Sequence, residues 1–368
     1  MYHFFPGQYR WSYNTLLAFA AGGQLGDITM VVERLAKSVG DDAAWHKEWA
    51  WIAGVLEERA RRGSRITAAE NYFLSALYHT ISEHFIPPAE PARLASYREV
   101  LRTFDLGRQA FSHPVERVTV PFGNTTLPAY FVAAPGAERK PAAIFICGLD
   151  TTKELWFLRA RLQFAARGIH ALFIDTPGIG EALRMQGLVT RADYEKPVAA
   201  AIDWLEQRPE VDAARIGIVG SSLGGYYVSR AAAYEPRLKA AVAWGAIYDY
   251  HRVWVRRLQG QGLVAAPRFQ LMFITGTQTM EDAVELVRDF RITDFAERIR
   301  CAFLVMHGAE DQQVTIDDAR AMYDAIGSTD KEIVIFTGEN GGPAHTQFDN
   351  QLPAMQICAD WIARKLSR

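Results

Sequence analysis

The chain has little cysteine, no excess of either charge and no long apolar run. Its 368 residues include only 3 cysteines. Cys147, Cys301 and Cys358 each fall inside an apolar stretch and show no metal-ligand spacing, which excludes a disulfide framework and a zinc motif and leaves buried, reduced thiols. Forty Lys and Arg against 42 Asp and Glu give a net charge of -2, so no field draws nucleic acid or an anionic membrane. No apolar stretch reaches the ~18–20 residues that a spanning helix needs. The segment Leu16 to Gly23, with Arg10 upstream, is too short and too weakly basic at its flank for a signal peptide. A cytoplasmic chain with no metal and no cofactor is expected, acting on a small molecule.

Aromatic residues are plentiful at 12%, with 9 Trp, which suits a large core or a pocket lined for a hydrophobic ligand. The most informative stretch is Arg215-Ile-Gly-Ile-Val-Gly220-Ser-Ser222-Leu-Gly224-Gly-Tyr-Tyr-Val228. An apolar run enters Gly-x-Ser-x-Gly and is followed at once by an apolar segment, the pattern of a buried strand turning sharply into a helix. Side chains at Gly220 or Gly224 would crowd the strand against the helix, and Ser222 would stand exposed on the turn.

A serine so placed calls for an acid and then a histidine, each in a loop behind a later strand. Cys301–His307 reads as a buried strand with Asp311 in its loop, and Glu332–Thr337 as the next, with His345 in the Gly- and Pro-rich loop behind it. Ser222, Asp311 and His345 are the expected nucleophile, orienting acid and general base. Asp249, behind the preceding strand, is the rival acid, and Asp311 is preferred for its place in the chain order. The loop Gly148-Leu149-Asp150-Thr151-Thr152-Lys153-Glu154 follows an earlier strand, where the backbone N–H of Leu149 would join that of Leu223 in holding an oxyanion; alternatively, Gly148 merely ends the strand.

Residues from about 14 to 105 show helical periodicity and no convincing strand, so 1–112 is expected to be a helical N-terminal domain, with 113–368 as the catalytic domain. Trp45, Trp49, Ile52 and Leu56 mark one helical face, and a stripe through Phe73, Leu77, Tyr78 and Ile81 another. His79 and His84 cannot share a helix face at a spacing of five, so they are expected at the surface or the core edge. From Val115 a hairpin is followed by apolar runs at Pro141–Cys147, Ile169–Asp175, Arg215–Gly220 and Lys239–Trp244, alternating with helical segments at about 153–167, 191–208, 223–235, 316–327 and 351–366. This is the pattern of a mainly parallel eight-stranded sheet covered on both faces. Asp175 to Gly180 reads as turn architecture. The 56 residues between Trp244 and Cys301 exceed a plain crossover and predict a lid-like insertion over about 246–300. Tyr248 and His251 near its start are candidates to face the pocket, although inward packing of an amphipathic helix explains them equally well.

Together, the helical front, the Gly148–Glu154 loop, Gly220–Gly224, His307-Gly-x-x-Asp311 and the His345 loop resemble the α/β-hydrolase branch of fermentation-respiration switch proteins, 2,6-dihydropseudooxynicotine hydrolase and fungal polyketide-shortening hydrolases. The resemblance implies hydrolysis of a carbon–carbon bond next to a ketone through an acyl-enzyme, on a hydrophobic carbonyl substrate. It implies Asp150 as a candidate substrate contact, at a position where the nicotine-pathway enzyme carries a longer glutamate, with capping of the following helix as the alternative role, and it implies a homodimer. A carboxylesterase using the same residues is the alternative, and a non-catalytic binding or regulatory member of the fold the second.

Overall fold

Helical periodicity in the first third is realised as five helices: α1 (Tyr9–Ala20), α2 (Leu25–Leu35), α3 (Asp42–Arg62), α4 (Arg65–Glu83) and α5 (Pro91–Ala110). The computed structural model describes residues 2–149 and 151–367. Local chemistry sets several of the ends. Asp41 caps α3 by accepting from the N–H groups of Ala43 and Ala44, Ser64 caps α4 through Thr67, and Pro91 opens α5. The apolar stripes meet as an aromatic cluster in which Phe5, Trp11, Trp45, Trp49 and Phe85 are almost fully buried. Trp45 also donates its indole N–H to the carbonyl of Ile81 at 2.8 Å. Burying a large apolar side chain stabilises by about 1.5–3 kcal/mol.

The remainder is a sheet with helices on both faces. Its strands are β1 (Glu116–Phe122), β2 (Thr125–Val132), β3 (Lys140–Ile146), β4 (His170–Ile174), β5 (Val211–Ser221), β6 (Leu238–Trp244), β7 (Ala302–Gly308) and β8 (Lys331–Phe336), in the order β1-β2-β4-β3-β5-β6-β7-β8. The β1–β2 hairpin and the β2–β4 pair are antiparallel, and the other pairings are parallel. Between the strands up to β6 run α6 (Lys153–Ala160), α7 (Gly180–Gln186), α8 (Glu195–Glu206) and α9 (Leu223–Tyr234). The insertion between β6 and β7 contains α10 (Tyr250–Leu258), α11 (Phe269–Thr275) and α12 (Met280–Leu286). Helix α13 (Ile316–Ala325) joins β7 to β8, and α14 (Gln351–Leu366) follows β8.

Parts of the fold differ from the sequence reading, among them α7, which that reading does not contain. The helix expected over 153–167 stops at Ala160 because Arg161 turns to φ 43°, and a short 3-10 turn at Ala165–Arg167 completes the crossover. Asp175 does more than end a strand. It accepts from the backbone N–H groups of Lys153 and Glu181 at 2.8 and 2.7 Å, and from Lys153 Nζ at 3.0 Å. Lys153 is fully buried and also meets Glu154 and Glu181. Burial pushes the Asp175 carboxyl up to about 6, against the pull of Lys153. This ion cluster anchors the start of α6, and with it the loop before α6.

The helical front is stitched to the sheet by rings. Phe73 of α4 packs on Phe104 and Phe157, and Phe104 lies 4.6 Å from the Tyr130 ring of β2. Glu83, fully buried at the end of α4, pairs with Arg93 of α5 and Arg184 of α7, while Arg93 also donates to Gln270 of α11 at 2.8 Å. The front helices, the sheet and the insertion therefore share one continuous apolar core.

Candidate active site

Ser222 occupies the turn between β5 and α9 at φ 57° and ψ −120°, a positive-φ conformation that costs a non-glycine residue about 1–3 kcal/mol. Its N–H donates to the carbonyl of Trp244 at 2.7 Å, and its own carbonyl accepts from Gly225 at 2.7 Å, so the neighbouring strand and helix hold the turn. A Cβ on Gly220 would lie 2.2 Å from the Gly224 carbonyl oxygen, and one on Gly224 would lie 2.7 Å from the carbonyl oxygens of Ile146 and Cys147. Both glycines are therefore required by the close approach of strand and helix.

Asp311 follows β7. Its Oδ1 accepts from the N–H groups of Gln313 and Val314 at 2.8 and 3.0 Å, and its Oδ2 meets His345 Nδ1 at 2.5 Å. Burial alone would raise the carboxyl pKa, but His345, His307 and the Val314 N–H outweigh it and hold Asp311 below the usual carboxylate range. The other ring nitrogen of His345, Nε2, lies 2.8 Å from Ser222 Oγ. His345 is 123 positions from Ser222 and 34 from Asp311, yet the three side chains form one unbroken hydrogen-bonded chain.

The histidine turn is itself strained, with Thr346 and Gln347 at φ 51° and 55°. It is braced from three sides. The Tyr13 hydroxyl donates to the His345 carbonyl at 3.3 Å, the Trp244 indole donates to Gln347 Oε1, and Gln347 Nε2 returns to the Ala344 carbonyl at 3.1 Å. Against the serine lies the loop after β3. A Cβ on Gly148 would sit 2.4 Å from the Ser221 carbonyl oxygen and 3.2 Å from the backbone nitrogen of Leu223. The lack of a side chain there lets the 148–149 backbone run beside the start of α9. Thr151 closes this loop, accepting from the Gly148 N–H at 3.0 Å.

A cavity of about 60 Å³ opens above Ser222, with Leu149, Ile247, Val264 and Phe348 among its apolar walls. The cavity is narrow and partly open to solvent. The roof comes from α1 (Tyr13, Asn14, Leu17), from α10 and from the irregular segment after it, where Gly260 and Gly262 take φ 76° and 78°.

Leu149, the first of the two expected oxyanion donors, lines the cavity, and Leu223 begins the helix behind Ser222. Asp150 lies outside the described residues. Asp249 accepts from the Arg252 N–H at 2.8 Å and caps α10, and the carboxylate that meets His345 is that of Asp311. Tyr248 and His251 are not in the cavity wall; α10 turns Tyr250 and Arg257 to it instead. Each residue advances about 100° around a helix, and packing of Val253 and Trp254 sets which face points in. His79 and His84 are both buried, contrary to their expected place at the edge. His84 lines the cavity and contacts Asn14 Oδ1 through Nδ1 at 2.6 Å. His79, Glu57 and Glu99 bring ligand-type atoms within 4.8 Å of one another, but Arg102 spans both carboxylates and supplies the cation there. Sequence reasoning misses Tyr13, His84, Arg257 and Gln313, whose shared cavity is assembled from separate stretches and leaves no local pattern.

Comparison with known proteins agrees with this architecture. The prolyl oligopeptidase family matches residues 156–368. Among characterised proteins, the chain is 26% identical to hydrolase acrC of Aspergillus aculeatus over 93% of each chain. It is 26% identical to 20-hydroxy-prefusarin hydrolase FUS2 of Gibberella moniliformis over 87% of each. With 2,6-dihydropseudooxynicotine hydrolase of Paenarthrobacter nicotinovorans it shares 27% identity over 74% of this chain and 72% of that one. The crystal structure of 2,6-dihydroxy-pseudo-oxynicotine hydrolase superposes with a TM-score of 0.81 at 23% identity, covering 96% of this chain and 95% of the other. Among the described residues no helix is long and apolar enough to cross a membrane. The strand order, the serine turn and the family match lead to one conclusion: the chain belongs to the prolyl oligopeptidase family and is a hydrolase of the α/β-hydrolase fold.

Proposed function

We propose that this hydrolase cleaves a carbon–carbon bond next to a ketone, in a β-diketone or polyketide-like aromatic substrate, through an acyl-enzyme. The hydrogen-bonded chain from Ser222 through His345 to Asp311, at the floor of a mainly apolar cavity, is the observation that carries the reading. Ser222 Oγ attacks the carbonyl as His345 Nε2 takes its proton, and Asp311 holds the ring so that Nε2 is the basic nitrogen. The N–H groups of Leu223 and Leu149 receive the oxyanion, an interaction worth about two to three orders of magnitude in rate per donor. As the intermediate collapses, the electron pair of the broken bond leaves with carbon. This is feasible when a second carbonyl delocalises it as an enolate, which then accepts the proton from His345. Water activated by the now neutral His345 attacks the acyl-enzyme and releases the carboxylic acid.

Relatives named as hydrolases of 20-hydroxy-prefusarin and 2,6-dihydropseudooxynicotine support a small organic substrate, and the segment between α10 and α11 roofs the cavity that would receive it. Labelling with a fluorophosphonate probe, lost in Ser222→Ala, tests the nucleophile. Mass-spectrometric product analysis on aryl 1,3-diketones, pyrones and short-chain aryl esters tests the bond. Ester turnover without any carbon–carbon cleavage would replace this reading with the carboxylesterase one.

A further inference from the structure

The roof of the cavity holds a cation that no carboxylate of the described residues answers. Arg257, in the last turn of α10, lines the cavity and also a groove outside it. Its guanidinium lies over the Trp254 ring at 4.8 Å, its Nη2 reaches the Gln313 carbonyl at 3.5 Å, and its Nε is buried without a hydrogen-bond partner. Burial lowers its pKa, and the groups whose fields support its charge are Tyr250, Asp311 and Tyr9. Asp311 is already committed to His345 and to two backbone N–H groups, so Arg257 is not its counter-ion. Arg93 and Arg184 close on Glu83, whereas Arg159, buried among the rings of Trp156, Trp244 and Phe348, likewise meets no carboxylate of the described residues and donates to Gln351.

Two further polar groups of the same wall are buried beside Arg257, Tyr250 Oη next to the Trp254 indole and Gln313 Nε2 next to the Tyr9 hydroxyl. A guanidinium, an amide and a phenol, all able to donate, thus converge on one cavity. Unpaired buried donors are costly, a charged one most of all, so such a wall is completed by an acceptor that arrives from outside. The outer groove repeats the bias. Arg10, which pairs with Asp42 away from the groove, and Arg268 line it with Arg257, and its described lining includes no Asp or Glu.

We infer that Arg257, with Tyr250 and Gln313, receives an anionic oxygen of the substrate. That oxygen is either a carboxylate present before reaction or the enolate oxygen formed as the carbon–carbon bond breaks. The enolate case rests on the proposed function: the electron pair of the broken bond passes to the departing carbon and onto its carbonyl oxygen, and Arg257 holds that charge until His345 returns the proton. The carboxylate case needs no particular reaction.

Calorimetry on the intact chain compares 3-phenylpropionate with 3-phenylpropionamide, and steady-state kinetics compares 1-phenyl-1,3-butanedione with phenyl acetate, for wild type, Arg257→Met and Arg257→Lys. A carboxylate site gives at least tenfold tighter binding of the acid than of the amide, a preference lost in Arg257→Met and partly kept in Arg257→Lys. An enolate site gives no such preference, but in Arg257→Met kcat falls at least tenfold further for the diketone than for the ester. The inference is overturned if acid and amide behave alike, or if an acid preference survives in Arg257→Met, with no selective loss on the diketone. Failure of fluorophosphonate labelling removes the serine mechanism, and the enolate case with it, while calorimetry still decides the carboxylate case.

Discussion

The hydroxyl of Tyr13, in the first helix, donates to the backbone carbonyl of His345 at 3.3 Å across 332 positions of sequence. The same hydroxyl lies 3.3 Å from Thr346 Oγ1 in the histidine turn, and the Tyr13 ring packs on Phe348 at 5.3 Å. The front helix therefore helps to place the histidine without supplying any reacting group. Tyr13→Phe keeps the ring packing and removes only the hydrogen bonds, whose net worth is about 1 kcal/mol. A several-fold fall in kcat with little change in Tm is expected. An unchanged kcat would show that the turn is held without Tyr13.

Replacing the proposed nucleophile and acid should separate them from their neighbours. Ser222→Ala should lower kcat by about four to six orders of magnitude, and Asp311→Asn by about four, because the amide leaves the histidine in the wrong tautomer. Asp249→Asn should retain activity, since Asp249 caps α10 and Asn caps a helix as well as Asp does. The reverse ranking of the two acids, read from steady-state rates, would transfer the orienting role to Asp249.

Gly148→Ala tests the loop beside the serine. The added methyl would lie 2.4 Å from the Ser221 carbonyl oxygen and 3.0 Å from Ser222 Cβ, so the loop has to withdraw. Loss of one oxyanion donor should lower kcat by about a hundredfold or more. Circular dichroism should show the fold intact. Wild-type kcat would remove the loop from the chemistry.

Stability should fall in mild acid. Burial depresses the His79 pKa to about 4, and it also lowers those of His170 and His307. An unfolded histidine titrates near 6.5, so between pH ~6.5 and ~4 the unfolded chain takes up a proton that folded His79 refuses. Its stabilising contribution is thus complete above pH ~6.5 and lost as the pH falls towards 4, by up to about 3 kcal/mol at 1.36 kcal/mol per pKa unit. Denaturant titrations at pH 7 and 4.5 should show the fall, and His79→Gln should reduce it. An equal fall in the variant would assign the effect to other groups.

The features legible in the sequence are local ones. Gly220, Ser222 and Gly224 between an apolar run and a helix are readable because strand, turn and helix are contiguous; crowding against the following turn dictates Gly220, whereas the atoms that dictate Gly224 belong to the distant Ile146 and Cys147. The later strands and the loops carrying Asp311 and His345 are legible for the same reason: buried parallel strands are short apolar runs bounded by turn residues. Features that join distant stretches of chain emerge only on folding. The packing of α1 on the histidine turn, His84 in the cavity wall, the Lys153 and Asp175 ion cluster, and the rotation of α10 that presents Tyr250 and Arg257 rather than Tyr248 and His251 are of this kind. Each depends on which surfaces meet once the helices close over the sheet, and no periodicity within a single segment encodes that meeting.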